Sequence, residues 1–413
     1  MNDITEVVIT GGYRWSYFQW FILGLYQLEE KGNIKLKFKL PFASLLLAKS
    51  SNKQIIRGAD KLRRIFEKDS YNMDGYIICI KDGKKVKKTF TIDSADAPYL
   101  FDKEKLDCVD VYFKIQCPLE LNKKGFALTE QIIIPWLDHN HIDKNLKITD
   151  RGTRNIIEIN MEKIKPLMIG PRQLARGNSY QQLKKGYDNY IKDQTAIKPQ
   201  NIMCYFGNAL GPKEEEKPIP DFDWEGDIMG YFKNEISHPN EKRAKAADII
   251  SKIDNCDARV ISSRNAESVI VENTDLIVPL SEFCKHVARF KWNLNISGYR
   301  MSIPNRFIES FMVGTGIITD KLAVKWYRSF EQEVVETSPM GYLPMDKVDW
   351  KQFKKDLENL PQMNPNQVLE SFERKWSPKA VAQYIIDTVK YSLQGTTQGR
   401  YLTGGVPPVR FSM

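Results

Sequence analysis

The stretch that decides the fold reads NLNISGYRMSIPNRFIESFMVGTGIITD and covers residues 293–320. Its apolar start predicts a strand that ends at Ile296, and the Ser-Gly pair after it predicts a turn. Pro304 is typical of the first turn of a helix, and a second strand is predicted to begin at Gly316. Strand, turn, helix and strand form the repeating unit of a parallel α/β sheet.

The same alternation continues on both sides of this stretch. The chain opens with a strand at 6–10 and a helix at 16–30, separated by Gly11 and Gly12, which is how a Rossmann-like unit begins. Strands are also predicted at 34–40, 75–80, 89–93, 109–115, 131–135, 201–206 and 258–262, and helices at 55–68, 183–192, 241–253, 279–289 and 304–313. The sequence therefore predicts an α/β protein with two Rossmann-like domains.

The domain boundaries follow from changes in composition. We predict a first domain at 1–195, because a new series of strands begins at 201. A second domain is predicted at 196–393 and an irregular tail at 394–413, where Gly-Gly and Pro-Pro pairs break regular structure. The 413 residues, 42 % of them hydrophobic, suffice for two cores and exclude disorder over the whole chain.

Charge, cysteines and apolar runs narrow the class of protein further. The net charge of +9 favours an anionic partner, or it serves solubility alone. The six cysteines are scattered without a C-x-x-C pair, which is typical of free thiols in a reducing compartment. The longest apolar run near the start, residues 17–26, is shorter than the roughly 20 residues that span a membrane. We therefore expect a soluble cytoplasmic protein.

Polar residues of the deciding stretch suggest an anion site. The loop and the predicted helix start would present backbone N–H groups from Ser302 to Arg306 to a phosphate, with Asn305 among them. The Arg306 guanidinium suits the same phosphate. Glu309 is placed one turn deeper, where a carboxylate can accept ribose hydroxyls. The alternative is an ordinary surface ion pair between Arg306 and Glu309.

The stretch resembles the donor-site segment of GT-B glycosyltransferases, especially the exostosin-like ones. Gly298, Arg306, Glu309, Gly314-Thr315 and Ile317-Ile318 carry the resemblance. It implies two domains facing across a cleft, a nucleotide-sugar donor on the second domain and no cofactor. It further implies that Glu309 binds the donor ribose, that the backbone from Ser302 to Arg306 binds the diphosphate and that Arg243 neutralises the leaving diphosphate. Ser302 stands about where the family often has a further acid.

Other candidates lie where open α/β sheets bind ligands. Arg264 and Asn265 follow the strand predicted at 258–262, and Asn265 is a candidate for contact with the nucleotide base. On the acceptor side, Gly11, Gly12 and Arg14 form the first turn.

An attacking sugar hydroxyl must lose a proton. For this role we favour Asp96 and then Asp93, both just beyond a predicted strand. Capping or turn formation is the alternative function of each. His139 and His141 are further candidates.

No convincing metal–diphosphate motif is found, since Asp221 and Asp223 lie in a proline-rich segment, and we expect catalysis without a metal ion. Lysine-rich patches at 35–39 and 81–88 predict peripheral contact with anionic lipid at the inner face of the membrane, or serve solubility.

The expected partners are a nucleotide-sugar donor and a glycan or lipid-linked acceptor, as in surface polysaccharide synthesis, without nucleic acid. A non-catalytic sugar- or nucleotide-binding protein and a nucleic-acid-binding protein stay open as alternatives.

Overall fold

Two β-sheets with flanking helices organise the chain. The computed structural model describes residues 5–12, 15–66, 72–81, 83–95, 102–119, 161–207, 239–261, 280–297, 302–322, 324–337, 340 and 345–392. Within these ranges the architecture is mixed α/β, with parallel strands in both sheets. The strand predicted at 131–135 lies outside the described residues.

The first sheet is mixed. The strands before residue 170 are β1 Thr5–Ile9, β2 Ile34–Phe38, β3 Asn72–Lys81, β4 Lys84–Asp93, β5 Val111–Lys114, β6 Cys117–Pro118 and β7 Ile164–Pro166. Six of them form a sheet in the order β2-β1-β3-β4-β5-β7. Strand β3 runs antiparallel to both of its neighbours, whereas the other pairs are parallel. The start of β3 therefore lies at the same edge as the carboxyl ends of β1 and β4.

The second sheet is parallel throughout. The later strands are β8 Gln200–Gly207, β9 Asp257–Ile261, β10 Phe290–Asn295, β11 Gly316–Thr319, β12 Val324–Lys325 and β13 Val334–Glu336. Five of them form a sheet in the order β13-β11-β10-β8-β9. Every residue of β11 is buried, as expected for a central strand covered by helices on both faces.

Helices connect the strands and cover the sheets. They are α1 Trp15–Glu30, α2 Phe42–Lys49, α3 Lys53–Phe66, α4 Lys103–Cys108, α5 Tyr180–Ile191, α6 Pro239–Ile250, α7 Leu280–Val287, α8 Arg306–Phe311, α9 Trp350–Glu358, α10 Pro365–Ser371 and α11 Pro378–Tyr391. The six helices predicted individually are α1, α3, α5, α6, α7 and α8, and each begins and ends within about three residues of its predicted bounds. Helix α8 is two residues shorter than predicted at each end, which matters for the site.

The last helix returns to the first sheet. Helix α11 packs along α1, where a Cβ on Gly24 would lie only 1.9 Å from the carbonyl oxygen of Pro378. The indole N–H of Trp20 donates to the carbonyl of Trp376 at 2.9 Å. The predicted boundary assigns α11 to the second domain, and the domain limits themselves stay a prediction.

Two contacts join the carboxyl edges of the sheets. The side-chain amide of Gln116, just after β5, both donates to and accepts from the backbone of Ile303, at 3.0 Å in each case. Strands β6 and β12 pair antiparallel beside this contact. The carboxyl edge of the first sheet therefore adjoins the segment that leads into α8.

Candidate active site

The carboxyl ends of β8, β10 and β11 meet at one edge of the second sheet, where parallel α/β sheets bind ligands. In the described part of the deciding stretch, β10 ends at Asn295, one residue before its predicted end, and β11 begins at Gly316 as predicted. Gly314 lies between α8 and β11 with a φ of 75°, a conformation that glycine adopts without strain. The described candidates of this stretch therefore lie between two strands of this sheet: Ser302, Asn305, Arg306 and Glu309.

Helix α8 is shorter than predicted and begins at Arg306 instead of Pro304. The side chain of Asn305 does not cap the helix, because its amide donates to the carbonyl of Gly170 at 2.5 Å. A helix of six residues has a weak dipole. The backbone from Ser302 onward therefore attracts an anion less strongly than the sequence predicts. The positive charge at this edge comes from side chains.

Two arginines from different helices converge on the ring of Phe206 in β8. The guanidinium carbons of Arg243 and Arg306 lie 5.7 Å and 5.6 Å from the ring centroid, within the range of a cation–π contact. Arg243 Nη2 also donates to the carbonyl of Ile296 at 2.9 Å. Burial lowers the pKa of Arg306. The structure thus brings together Arg243, which the resemblance assigns to the diphosphate, and Arg306, whose guanidinium suits the same phosphate.

A buried lysine and a buried aspartate adjoin these arginines. Burial lowers the pKa of Lys242 to about 8, while the carboxylate of Asp320 opposes this shift. Asp320 accepts hydrogen bonds from the backbone N–H and the hydroxyl of Ser297, at 3.1 and 2.8 Å. Burial raises the pKa of Asp320, although these hydrogen bonds and the nearby cations favour its charged form.

The predicted site omitted Lys242, yet the sequence contains a signal for it. Lys242, Ala246 and Ile250 follow one another at a spacing of four along α6, and all three are buried. Residues four apart share one face of a helix. The lysine therefore occupies the end of an apolar stripe, and burial of its charge is predictable.

The electrostatics of this edge favour an anion. Lys242 and Arg243 lie in the first turn of a helix of twelve residues, where the positive end of the dipole repels cations. Asp320 and Glu241 partly compensate, since both raise the pKa of Lys242. A diphosphate bound beside Lys242, Arg243 and Arg306 would relieve this repulsion and accept hydrogen bonds from the guanidinium groups.

Glu309 is buried one turn along α8 and is paired. Its Oε1 accepts hydrogen bonds from the backbone N–H and Nε of Arg172 at 3.1 and 3.0 Å, and Oε2 accepts from Nη2 at 3.3 Å. Burial alone would lower the pKa of Arg172, but the Glu309 carboxylate outweighs it and the net shift is upward. A carboxylate offers about four lone-pair sites, so Oε2 retains capacity for a ribose hydroxyl.

On the first sheet, Asp93 is enclosed by partners. Its Oδ2 accepts hydrogen bonds from the Lys114 ammonium and the Tyr112 hydroxyl, both at 2.7 Å, and its Oδ1 accepts from the Ala95 backbone at 2.8 Å. Only 2 % of Asp93 is exposed. In this arrangement the Asp93 carboxylate stabilises the end of β4, and its role as the catalytic base stays a prediction.

Asp74 is a carboxylate at the same edge that the sequence analysis missed. It lies beside the turn at Gly11, whose backbone N–H donates to the Asp74 carbonyl at 3.3 Å. Its carboxylate accepts from the Thr91 hydroxyl at 2.8 Å and from the Lys105 ammonium at 2.6 Å. About a quarter of the side chain is exposed, 26 %. Gly12 adopts a φ of 145° and completes this turn.

Several predicted residues lie outside the described part of the chain. They are Arg14, Asp96, Arg264, Asn265, Gly298, His139, His141, Asp221 and Asp223. Among the residues that the structure describes, no group of three His, Cys, Asp or Glu side chains is arranged to hold a metal ion. None of the helices in the described ranges combines the length and apolarity needed to cross a bilayer.

Comparison with known proteins yields distant structural similarity alone. No protein-family model matches the chain, and none of the curated proteins matches it. Among solved structures, the chain is similar to WaaG, a glycosyltransferase involved in lipopolysaccharide biosynthesis, with 11 % identity, a TM-score of 0.32 and coverage of 92 % of this chain and 96 % of that one. It is also similar to the GtfA/B complex, with 10 % identity, a TM-score of 0.30 and coverage of 93 % and 98 %.

Proposed function

We propose that this protein is a glycosyltransferase that transfers a sugar from a nucleotide-sugar donor to a glycan or lipid-linked acceptor. The observation that carries the proposal is the convergence of Arg243 and Arg306 on Phe206 at the carboxyl edge of a parallel sheet. Lys242 precedes Arg243 in α6, and the buried Glu309 carboxylate acts on Arg306. Paired cations suit a diphosphate, and a carboxylate one helical turn away suits a ribose diol.

Each residue of this edge has a role in the proposed reaction. The bond between the anomeric carbon and a diphosphate oxygen breaks, and the acceptor hydroxyl oxygen forms a new bond to the anomeric carbon. Arg243, Arg306 and Lys242 stabilise the negative charge that develops on the departing nucleoside diphosphate. These cations supply the stabilisation that a metal ion would otherwise give, so we propose metal-independent transfer without a cofactor.

The acceptor hydroxyl loses its proton to a carboxylate of the first sheet. We propose Asp74 for this role in preference to Asp93, because Asp93 is enclosed and Asp74 is partly exposed beside the Gly11 turn. Asp96 lies outside the described residues and stays the alternative base. Neighbouring strands are about 4.8 Å apart. Asp74 is in register with Thr91 of β4 and, one strand farther, with Tyr112 of β5, so it lies roughly 10 Å from Tyr112, and Gln116 follows four residues farther along the chain.

Nucleotide binding and turnover test the proposal. Titration calorimetry with UDP, GDP, ADP and CDP should reveal one preferred ligand, and Arg306→Met should weaken it by about tenfold or more, the value of a charged hydrogen bond. Arg259→Met is the matched control, because Arg259 pairs with Asp257 on the edge strand β9. Absence of binding to every nucleoside diphosphate would contradict the proposal.

Turnover separates the enzyme from the non-catalytic alternative. With the preferred nucleotide, radiolabelled nucleotide-sugars should release nucleoside diphosphate, and Asp74→Asn should abolish release while leaving nucleotide affinity unchanged. Binding without any turnover would instead favour a sugar- or nucleotide-binding protein. We propose a cytoplasmic location and a role in surface polysaccharide synthesis, consistent with activated sugar donors and a lipid-linked acceptor.

A further inference from the structure

Helices α2 and α3 carry a surface that the proposed transfer reaction does not use. In the described part of the chain, eight large apolar side chains are strongly exposed, and four of them lie on these helices: Phe42 at 72 %, Ile65 at 63 %, Ile55 at 44 % and Leu62 at 41 %. One exposed apolar residue is ordinary, whereas a cluster marks an interaction site. We call these four residues the α2–α3 face.

The spacing along α3 produces a buried apolar side and an exposed apolar strip. Ile56 and Ala59 are buried and hold the helix against the protein. Ile55 and Leu62 are two turns apart, and Ile65 lies one turn beyond Leu62, so these three form a strip that adjoins the buried side at Ala59. The buried side anchors the helix, while the strip stays exposed in the described structure.

Basic residues approach this apolar strip at one end. Helix α3 contains five Lys or Arg residues and one acid, Asp60, which pairs with Arg63 at 3.5 Å. Lys53, Arg57 and Lys61 are exposed and follow one another at a spacing of four, so they form a basic stripe on another side of α3, which comes nearest to the apolar strip at Lys61 and Ile65. An exposed apolar strip on a helix whose polar side is basic is typical of helices that lie in the surface of an anionic membrane.

The lysine patches identified in the sequence are less available for lipid. Lys37 pairs with Glu6 at 2.7 Å and Lys88 pairs with Asp110 at 3.0 Å. Lys87 lies 4.3 Å from the ring centroid of Tyr76. These patches also lack a cluster of exposed apolar side chains like that of α3. Apolar insertion and charge attraction therefore combine on α3 rather than on the lysine patches.

We propose that the α2–α3 face docks on an anionic lipid membrane. Phe42, Leu62 and Ile65 enter the boundary between headgroups and acyl chains, and the basic stripe of α3 contacts lipid phosphates. An anionic bilayer can bury the exposed apolar side chains and also bind the excess positive charge. We therefore favour a lipid surface over another protein as the partner.

The position of the face has a consequence for the acceptor. Helix α3 ends at Phe66, and β3 begins at Asn72, two residues before Asp74. The docking helix and the strand that holds the proposed base are therefore consecutive among the described elements of the chain. If the proposed function holds, this arrangement suits an acceptor that is anchored in the same membrane.

Vesicle flotation tests the proposal with the full-length protein. The probes are phosphatidylcholine vesicles with and without phosphatidylglycerol, at low and high salt. The wild type should bind only the anionic vesicles, and high salt should weaken binding. Leu62→Gln with Ile65→Gln should reduce the bound fraction by about tenfold or more, because two apolar side chains lose their insertion. Ile197→Gln is the matched control, since Ile197 is 79 % exposed elsewhere.

Three results would overturn the proposal. The first is a wild type that ignores anionic vesicles at low salt. The second is a control variant that loses as much binding as the double variant. The third is self-association in sedimentation velocity that the double variant abolishes, which would make the face an interface between copies. Nucleoside diphosphate binding by the double variant should equal that of the wild type, so failure here and failure of the proposed function are distinguishable.

Discussion

The pH dependence of nucleotide affinity should report on Lys242. With a pKa of about 8, this lysine is protonated in about nine molecules out of ten at pH 7 and in about one out of ten at pH 9. A bound diphosphate favours the ammonium form, so binding is coupled to proton uptake above pH 8. The structure therefore predicts that the dissociation constant rises by about tenfold between pH 7 and pH 9.

Two variants isolate this effect from titration of the ligand. Lys242→Met removes the titrating group, so its affinity should be weaker at pH 7 and should lack the tenfold component. Lys245→Met is the matched control, because Lys245 lies on the same helix, is 46 % exposed and contacts Asp248 only at 3.9 Å. Titration calorimetry at both pH values, with the preferred nucleoside diphosphate, measures the three proteins.

The ratio of wild-type affinity to Lys242→Met affinity should differ between pH 7 and pH 9. An equal ratio at both pH values would refute the role of Lys242. Equal losses in the Lys242 and Lys245 variants would refute it too, since a general change in surface charge would then explain the data. Circular dichroism at both pH values controls for unfolding.

Two further predictions concern stability, measured by urea denaturation. Arg172→Gln removes hydrogen bonds to the buried Glu309 carboxylate and should lower the free energy of unfolding by about 1–2 kcal/mol. We expect this small value because the arginine is half-exposed. An unchanged denaturation midpoint would contradict this prediction. Asp93→Asn removes the negative charge beside the buried Lys114 ammonium and should cost about 3–5 kcal/mol, whereas Asp74→Asn should cost less than about 1 kcal/mol. Equal costs would show that burial does not distinguish the two acids.

Local patterns were sufficient to predict most elements. Apolar runs bounded by Gly or Pro specify β10, α8 and β11, because a helix ends where Gly314 takes a φ of 75° and a buried strand requires continuous apolar residues. The convergence of Arg243 and Arg306 could be anticipated only through the family resemblance. Their positions on separate helices have no common local signal.

Long-range contacts account for what the sequence did not reveal. The side chain of Asn305 binds the carbonyl of Gly170, 135 positions away, instead of capping α8. Arg172 binds Glu309 from a segment 137 positions away, and no periodicity indicates such a pair.

Topology explains the missed acid. Strand β3 enters between β1 and β4 in the opposite direction. That insertion brings Asp74 to the acceptor-side edge, although it lies at the beginning of its strand and not at the carboxyl end where we searched.

A crystal structure with the preferred nucleoside diphosphate tests the central claim most directly. We predict diphosphate oxygens within hydrogen-bond distance, about 3.2 Å or less, of at least two of Lys242, Arg243 and Arg306, with the ribose beside Glu309. A diphosphate bound at any other place, with these three side chains unchanged and without contact to it, would contradict the account.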